Sequence, residues 1–245
     1  MHREVVLHNF LVLFYNLHYQ IIYGLILFLF KMKLLCSWSG GKDSCYALMQ
    51  MQQQPIVLLN ALNENGEISR SHGLSKALLH AQANALGVSI DFISATWSDY
   101  TNKFIEKLTT LTNQYELTDA VFGDIDIEPH REWEEKVCKA AHINCNLPLW
   151  QQNRRALVTE MIAAGIVAMI VSCNNDLGPD FLGRIINKET IDLLDAKGVD
   201  VCGENGEFHT VVLDCPLFNK PIEVIQGKKL HNGTGYHFLE LSLKS

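Results

Sequence analysis

The chain has 245 residues, of which 48% are hydrophobic and 19% are charged, a composition typical of a globular protein and not of a disordered one. Its 20 basic and 27 acidic residues give a net charge of -7, which disfavours a protein that binds nucleic acid through overall positive charge. Seven cysteines without a Cys-x-x-Cys pair indicate reduced, cytosolic thiols and disfavour a zinc ribbon or a thioredoxin-type redox centre.

The first 31 residues differ in composition from the rest of the chain. No Asp, Glu, Lys or Arg lies in Val5–Phe30, and Phe10–Phe30 is long enough to cross a bilayer, although polar residues interrupt it. Three interpretations are open: a membrane anchor flanked by Lys31 and Lys33, a signal sequence, or a segment ahead of a true start at Met32. We favour the last, because no later feature requires these residues, and we expect a cytoplasmic protein with no membrane partner.

From Met32 onward, short apolar runs alternate with amphipathic stretches. Predicted strands cover residues 33–38, 55–62, 88–95, 120–123, 146–150 and 166–172. Predicted helices cover residues 42–52, 75–86, 100–111, 131–141 and 154–164. Strands that alternate with helices in units of about 30 residues predict right-handed βαβ crossovers, and hence an α/β protein with a doubly wound, mostly parallel, Rossmann-like (HUP-type) sheet.

The pattern changes beyond Ser172, where a loop is followed by shorter elements. One short helix and four strands are predicted there, at residues 191–194, 198–202, 210–213, 222–226 and 236–243. These elements predict a smaller C-terminal α+β portion. We therefore expect an N-terminal extension over residues 1–31, a larger domain over residues 32–150 and a smaller domain over residues 151–245.

A glycine-rich segment joins the first predicted strand to the first predicted helix. Its two glycines leave the backbone amides unobstructed at a helix N-terminus, where they can form a nest that attracts phosphate. The serines add hydroxyl donors, Lys42 adds positive charge, and Asp43 has a carboxylate suited to a Mg²⁺ ion that bridges phosphates. The segment fits neither G-x-x-x-x-G-K-[ST] nor G-x-G-x-x-G. The predicted phosphate-binding residues are Ser39, Gly40, Gly41, Lys42, Asp43 and Ser44.

A second group of candidate residues follows the fourth predicted strand. Gly123 lies at the carboxyl end of that strand, where ligands of open α/β sheets bind, and would let adenine or ribose approach the backbone. Asp124 and the acids after it suit Mg²⁺ or an amine, or form a solvated loop. His130 and Arg131 open a helix at the end where its dipole disfavours positive charge, which indicates a phosphate or carboxylate partner, or an ion pair with nearby acids. Trp133 is predicted to lie in the core.

The segment Ser-Gly-Gly-Lys-Asp-Ser resembles the pyrophosphate loop (PP-loop) of ATP pyrophosphatases. Further motifs, in the same order along the chain, resemble the diphthine–ammonia ligase family. These motifs are Gly123–Ile125, His130–Glu134 with Cys138, Leu147–Trp150, Phe181–Gly183, Gly198–Thr210 and Asp214–Phe218. The resemblance covers the chain from Met32 to about Phe218, and two of its motifs look most like those of bacterial members. Cys215 stands where the family pattern has Gly.

The resemblance implies an ATP-dependent carbon–nitrogen ligase. A carboxylate oxygen of the acceptor attacks the α-phosphorus of ATP, pyrophosphate leaves, and ammonia or an amine captures the adenylated carboxylate. Residues 32–150 would bind ATP and residues 151–245 the acceptor, which is the diphthine of an elongation factor if the source makes one. Asp43 would hold Mg²⁺ and act with Lys42 in catalysis, while His72 and Gly73 would lie near ATP.

Two acids near the C-terminus complete the predicted site. Glu204 and Glu207 are three residues apart around a glycine, and we expect both carboxylates to face the acceptor. There they could orient ammonia, accept its proton, or bind a cation such as the trimethylammonium group of diphthine, with Phe208 nearby. The alternative for this segment is a turn with solvated acids.

Two other functions use the same loop. A tRNA-modifying PP-loop enzyme is one, but relatives that thiolate tRNA often use paired cysteines and tRNA-binding relatives are usually more basic. A non-catalytic ATP-binding module is the other, and the complete Lys42, Asp43 and Ser44 disfavour it. We therefore expect no nucleic acid partner, and leave a homo-oligomer open.

Overall fold

The computed structural model of the protein describes residues 32–244 except Asn232 and Thr234. The predictions for residues 1–31 lie outside the described residues. From Lys33 onward the chain forms one compact unit. None of the helices in the described part of the chain has the length and apolar character that a membrane span requires.

The helices and strands alternate as predicted through the first two thirds of this unit. The strands are β1 Leu34–Ser37, β2 Val57–Leu62, β3 Ser89–Ser94, β4 Asp119–Val121, β5 Asn144–Asn146, β6 Val167–Asn174, β7 Phe208–Asp214, β8 Val224–His231 and β9 Tyr236–Leu243. The α-helices are α1 Lys42–Gln50, α2 Lys76–Leu86, α3 Tyr100–Tyr115, α4 Glu128–Ala140, α5 Arg154–Ala163 and α6 Lys188–Ala196.

Strands β1 to β5 form one parallel sheet in the order β3-β2-β1-β4-β5. The predicted doubly wound α/β architecture is confirmed. The chain proceeds outward from β1 in one direction to β3, and then returns to the other side of β1 for β4. Because the connections diverge there, a crevice opens between the carboxyl ends of β1 and β4, the place where such sheets bind ligands.

Apolar side chains of the helices hold this sheet in place. Phe104 and Leu108 of α3 and Val137 of α4 are buried against Leu35 of β1 and Leu59 of β2. Such burial is the main favourable contribution to folding, at about 25 cal/mol for each Å² of apolar surface. The phosphate loop follows β1, the central strand of this sheet, whose first three residues are fully buried.

Local signals fix the ends of α2 as the sequence predicts. The Ser75 side chain accepts a hydrogen bond from the amide of Leu78 at 3.3 Å and caps the start. Gly87 ends the helix in the left-handed conformation, with φ +72°.

The C-terminal residues form a second, antiparallel sheet in the order β7-β6-β9-β8. This confirms the smaller α+β portion. Strand β7 passes beside the start of α1, where the amide of Val212 donates to the carbonyl of Gly40 at 2.9 Å. The second sheet therefore supplies one side of the phosphate loop. The domain boundary after residue 150 stays a prediction.

Two predicted strands are wrong in position. The strand predicted at 146–150 lies at Asn144–Asn146, and Leu147–Trp150 forms a turn instead. The strand predicted at Gly198–Cys202 is absent, and turns take its place. The carboxylate of Asp200 accepts local hydrogen bonds that compete with strand formation. There Asp200 accepts from the amides of Cys202 at 3.0 Å and Glu204 at 3.1 Å.

Candidate active site

A cavity of about 580 Å³ lies at the carboxyl ends of β1 and β4. Its walls come from the phosphate loop, the starts of α3 and α4, and the turn before β7. The residues around it include Ser39, Asp43, Ser44, His72, Trp97, Tyr100, Gly123, Asp124, His130, Trp133, Glu134, Glu204 and His209. A neighbouring cavity of about 420 Å³ shares Asp43, Asp124 and Glu204 with it and adds Lys42 and Thr210.

The two loop glycines are required by close packing. Gly40 has φ +86°, and a Cβ atom there would lie 2.7 Å from Leu74 Cδ1. A Cβ atom on Gly41 would lie 2.5 Å from His72 Cε1. Side chains at either position would therefore displace residues that line or support the cavity.

The first amides of α1 have no partners within the helix. The Gly41 amide donates to Ser39 Oγ at 3.2 Å, and the Lys42 amide donates to Thr210 Oγ1 at 3.1 Å. The next two amides, of Asp43 and Ser44, belong to residues that line the cavity. The helix N-terminus thus offers partial positive charge to a phosphate there.

The two loop serines also hold each other. The hydroxyl groups of Ser39 and Ser44 are 3.0 Å apart, and Ser44 Oγ donates to the carbonyl of Gly41 at 3.1 Å. Both residues line the cavity. Their hydroxyl groups are therefore positioned by the loop itself before any ligand binds.

Lys42 is buried beneath the loop, with 3% of the residue exposed. Its Nζ lies 2.9 Å from both carboxylate oxygens of Asp43 and 2.5 Å from the carbonyl oxygen of Cys202. Burial alone would lower the pKa of Lys42, but the neighbouring negative charges, Asp43 first, outweigh it and raise this pKa. Lys42 therefore stays cationic and connects the phosphate loop to the turn before β7.

Glu204 lies in that turn and lines both cavities. Burial, followed by the negative charge of Asp43, raises the pKa of Glu204 to about 8. Glu207 instead accepts hydrogen bonds from the amide and the side chain of Asn205, at 3.0 and 3.1 Å. The structure thus brings Glu204 to the phosphate loop, whereas Glu207 lines neither of the two cavities.

Asp124 and His130 face each other across the other wall, with Oδ1 and Nδ1 2.7 Å apart. This hydrogen bond raises the pKa of His130. Burial would raise the pKa of Asp124, but the hydrogen bonds from His130 and Glu134 outweigh burial and lower it. The pair therefore presents to the cavity a carboxylate that is hydrogen-bonded to an imidazole and favours its protonated form.

Glu134 is the acid that sequence reasoning did not select. Only 2% of the residue is exposed, and burial, then its hydrogen bond with Asp124, raises its pKa to about 11. It is therefore protonated at neutral pH and donates to Asp124. Its spacing four residues after His130, on one face of a helix, was the available signal.

His72 and His209 form a neutral pair next to the phosphate loop, with ring centroids 4.8 Å apart. Burial lowers the pKa of both rings, that of His209 well below its ordinary value. His72 Nδ1 lies 2.7 Å from the carbonyl oxygen of Thr210. Because a carbonyl only accepts, Nδ1 carries the proton and Nε2 of His72 is left as an acceptor.

Gly123 packs against the start of α1. A Cβ atom there would lie 2.7 Å from the Asp43 carbonyl carbon and the Ser44 amide nitrogen. The absence of a side chain at Gly123 thus lets the end of β4 pack against the phosphate loop. From the sequence, we expected only the approach of a ligand at this position.

Arg131 and Gly73, like Glu207, are predicted residues that do not line the main cavity. Arg131 pairs with Glu128 and Glu135, so the local ion pairs considered for it are present. Gly73 lines a separate cavity beside β9, and a Cβ atom on it would lie 2.8 Å from Phe238 Cδ1.

Aromatic and basic residues were the main omissions from the predicted site. Trp97, Tyr100 and Trp133 line the cavity, so Trp133 is not simply a core residue. Arg154 binds Asp126 at 2.5 Å and Asp200 at 2.5 Å. Because these two acids lie after β4 and before β7, Arg154 connects the two walls.

Comparison with known proteins identifies relatives of the whole described unit. Residues 32–145 match the diphthamide synthase N-terminal domain, and residues 153–244 match the diphthamide synthase C-terminal domain. The human protein named diphthine–ammonia ligase is 33% identical over 84% of this chain and 90% of its own. The bovine protein of that name is 32% identical over the same shares. These matches confirm the family resemblance, while the likeness to bacterial members stays a prediction.

Among the solved structures that resemble this chain is one described as a predicted subunit of tRNA methyltransferase from Methanocaldococcus jannaschii. It covers 76% of this chain and 98% of its own, with a TM-score of 0.40 and 16% identity. The family assignment depends on the two domain matches and the relatives above.

Proposed function

Because the chain belongs to the diphthine–ammonia ligase family, we propose that it joins ammonia to the carboxylate of a diphthine residue and cleaves ATP to AMP and pyrophosphate. The observation that carries this proposal is the phosphate loop at the switch point of the sheet, open to a cavity of about 580 Å³. ATP is the nucleotide that this family uses. The acceptor is therefore a carboxylate-bearing residue of a protein, and ammonia is the amine.

The phosphate loop is proposed to hold the pyrophosphate that leaves. The amides of Asp43 and Ser44 and the hydroxyl groups of Ser39 and Ser44 would bind its oxygens, because donors at a helix N-terminus favour anions. The buried ammonium group of Lys42 balances the negative charge of Asp43. The loop therefore repels the triphosphate of ATP less than an unpaired Asp43 would. His72 and His130 would contact the nucleotide from the cavity walls.

We place a Mg²⁺ ion at Asp43. The residues fit it, because Asp43, Asp124 and Glu204 line one cavity, where burial, followed by the charge of Asp43, raises the pKa of Glu204. No cluster of three or more metal-binding side chains occurs among the residues that the structure describes, but Mg²⁺ needs only one or two carboxylates when phosphates supply other ligands. When bound, the ion would neutralise phosphate charge.

Glu204 is proposed to act on the ammonia side of the reaction. An acid with a pKa near 8 exists in both protonation states near neutral pH, as efficient proton transfer requires. Ammonia loses a proton when it captures the adenylated carboxylate, and Glu204 can accept it. Glu207 holds the turn through Asn205, and thereby positions Glu204.

We further propose that residues 32–150 bind ATP and residues 151–245 bind the acceptor. The turn that carries Glu204 belongs to the second part and reaches the phosphate loop through Lys42. The protein is proposed to act in the cytoplasm, without nucleic acid. A homo-oligomer is compatible with this proposal.

The direct experiment incubates the protein with ATP, Mg²⁺, an ammonium salt and an elongation factor that carries diphthine. Pyrophosphate, AMP and amidated acceptor should form in equal amounts, and Asp43→Ala should abolish all three. ATP binding without pyrophosphate release would contradict the proposal and favour a non-catalytic ATP-binding module.

A further inference from the structure

Arg154 carries a positive charge where its helix does not favour one. It is the first residue of α5, at the end where the helix dipole is positive. Two carboxylates offset this charge. Nε and Nη2 of Arg154 donate to the two carboxylate oxygens of Asp126 at 2.8 and 2.5 Å, and Nη1 donates to Asp200 Oδ2 at 2.5 Å. Because the guanidinium group is planar and uses three nitrogens, these bonds fix its orientation.

Asp200 connects Arg154 to the turn before β7. Its Oδ2, which binds Arg154, also accepts from the amide of Glu204 at 3.1 Å, and its Oδ1 accepts from the amide of Cys202 at 3.0 Å. Only 12% of the Asp200 side chain is exposed, so water competes little for these bonds. One carboxylate thus joins the guanidinium group of Arg154 to the backbone of Glu204.

The same turn is held from two sides. Cys202 Sγ donates to the backbone carbonyl of Arg154 at 2.8 Å, while the carbonyl oxygen of Cys202 accepts from Lys42 Nζ at 2.5 Å. Lys42 therefore fixes the turn to the phosphate loop. Arg154 fixes it to Asp126, in the segment after β4 that also carries Asp124.

Arg154 itself lines neither the main cavity nor the neighbouring one. Its effect on the reaction must therefore pass through another residue. Its ion pairs are partly exposed, with 26% of its side chain and 33% of that of Asp126 accessible, and pairs of this kind contribute little to stability. The bonds of Arg154 thus serve the geometry of the turn more than the stability of the fold.

We propose that Arg154 is a positioning residue of the amide-forming step, and that through Asp200 it holds Glu204 where ammonia meets the adenylated carboxylate. In that step the nitrogen of ammonia bonds to the carbonyl carbon, the bond from this carbon to the AMP oxygen breaks, and a proton passes from the nitrogen to Glu204. The inference rests on the proposed function, because Glu204 is the group that accepts this proton.

The test separates the two steps of the reaction. The full chain, ATP, Mg²⁺ and an elongation factor that carries diphthine are mixed without ammonium, and pyrophosphate release in the first turnover reports on adenylation. Ammonium is then added, and the rate of amide formation is measured. Arg154→Met should slow amide formation by about 10- to 100-fold, because a small misplacement of a reacting group has effects of this size. Adenylation and the affinity for ATP should stay within about 2-fold of the wild type.

A double-mutant cycle shows whether Arg154 acts through Glu204. In a Glu204→Gln background the positioned proton acceptor is already absent, so Arg154→Met should slow amide formation by less than about 2-fold further. A merely structural role of Arg154 would slow both backgrounds by the same factor.

The next residue along α5 provides a matched control. Arg155 pairs with Asp192 and Asp195 of α6 instead, so Arg155→Met should leave both steps at the wild-type rates. If Arg154→Met does not fold, Asp126→Asn replaces it, because the exposed Asp126 side chain can be changed with little effect on folding. Asp126→Asn should slow amide formation in the wild-type background and not in the Glu204→Gln background.

The outcomes separate this inference from the proposed function. Wild-type amide formation in folded Arg154→Met, or equal slowing in both backgrounds, would overturn the role of Arg154 alone. No amide from the wild-type protein would overturn the proposed function, and this inference with it.

Discussion

Glu204→Gln removes a carboxyl group whose pKa differs strongly between the folded and the unfolded chain. Unfolded, Glu204 loses its proton near its ordinary pKa of 4.5, whereas burial and then the charge of Asp43 raise the folded-state pKa to about 8. Between these pH values, unfolding releases a proton, so a rise in pH favours the unfolded chain. Stability associated with Glu204 is therefore present below pH 4.5 and is lost progressively up to about pH 8.

The magnitude follows from the size of this change. Each factor of ten in proton affinity corresponds to about 1.4 kcal/mol, so the difference between 4.5 and about 8 gives an upper bound of about 5 kcal/mol. Glutamine carries no charge at any of these pH values. We therefore expect Glu204→Gln to change stability little near pH 4.5, and to be more stable than the wild type by several kcal/mol at pH 8.

The assay is urea unfolding of both proteins, without nucleotide, at several pH values from 4.5 to 8. Glu207→Gln is the matched control, because Glu207 lies in the same turn but bonds to Asn205 outside the cavity lining. A difference between Glu204→Gln and the wild type that does not grow with pH would refute the reasoning. Glu204→Gln should also lose the pH dependence of amide formation near pH 8, whereas Glu207→Gln should keep it.

Three further variants test other parts of the site. Lys42→Met leaves Asp43 without its buried partner, and should lower the free energy of unfolding in urea by about 3 kcal/mol and abolish ATP binding; unchanged binding would contradict the role of Lys42. Gly123→Ala places a Cβ atom 2.7 Å from the backbone of Asp43, and should cost about 1–3 kcal/mol and weaken ATP binding in calorimetry; wild-type affinity would show that the loop does not need this packing. Glu134→Gln replaces an acid whose pKa is raised from 4.5 to about 11 by a neutral amide, so by the same linkage the variant should become increasingly more stable than the wild type as the pH rises from about 6 to 9; a difference in the free energy of unfolding that does not grow with pH would mean that Glu134 is ionised in the folded protein.

The parallel sheet and the phosphate loop could be predicted because their determinants are local. Alternating apolar runs mark β1 to β4, and the six residues from Ser39 to Ser44 are contiguous at a strand-to-helix junction. Their close packing, with Gly41 against His72 and Gly123 against the start of α1, depends on tertiary contacts. The sequence therefore indicated which residues form the loop, but not what surrounds it.

The remaining site residues gave weaker signals, because their roles depend on burial. Glu134 resembles the exposed acids around it, and burial together with its hydrogen bond to Asp124 keeps it neutral. The run Gly198–Cys202 resembled a strand, but Asp200 bonds two amides of that segment and forms a turn.

The central claim is that an acceptor carboxylate is adenylated at the phosphate loop. It is tested most directly by labelling the acceptor carboxylate with heavy oxygen and analysing the nucleotide products by mass spectrometry. If the carboxylate oxygen attacks the α-phosphorus, one labelled oxygen must appear in AMP for each amide formed. Label in inorganic phosphate, with ADP as the other product, would contradict the account, because it would mean that attack occurs at the γ-phosphorus.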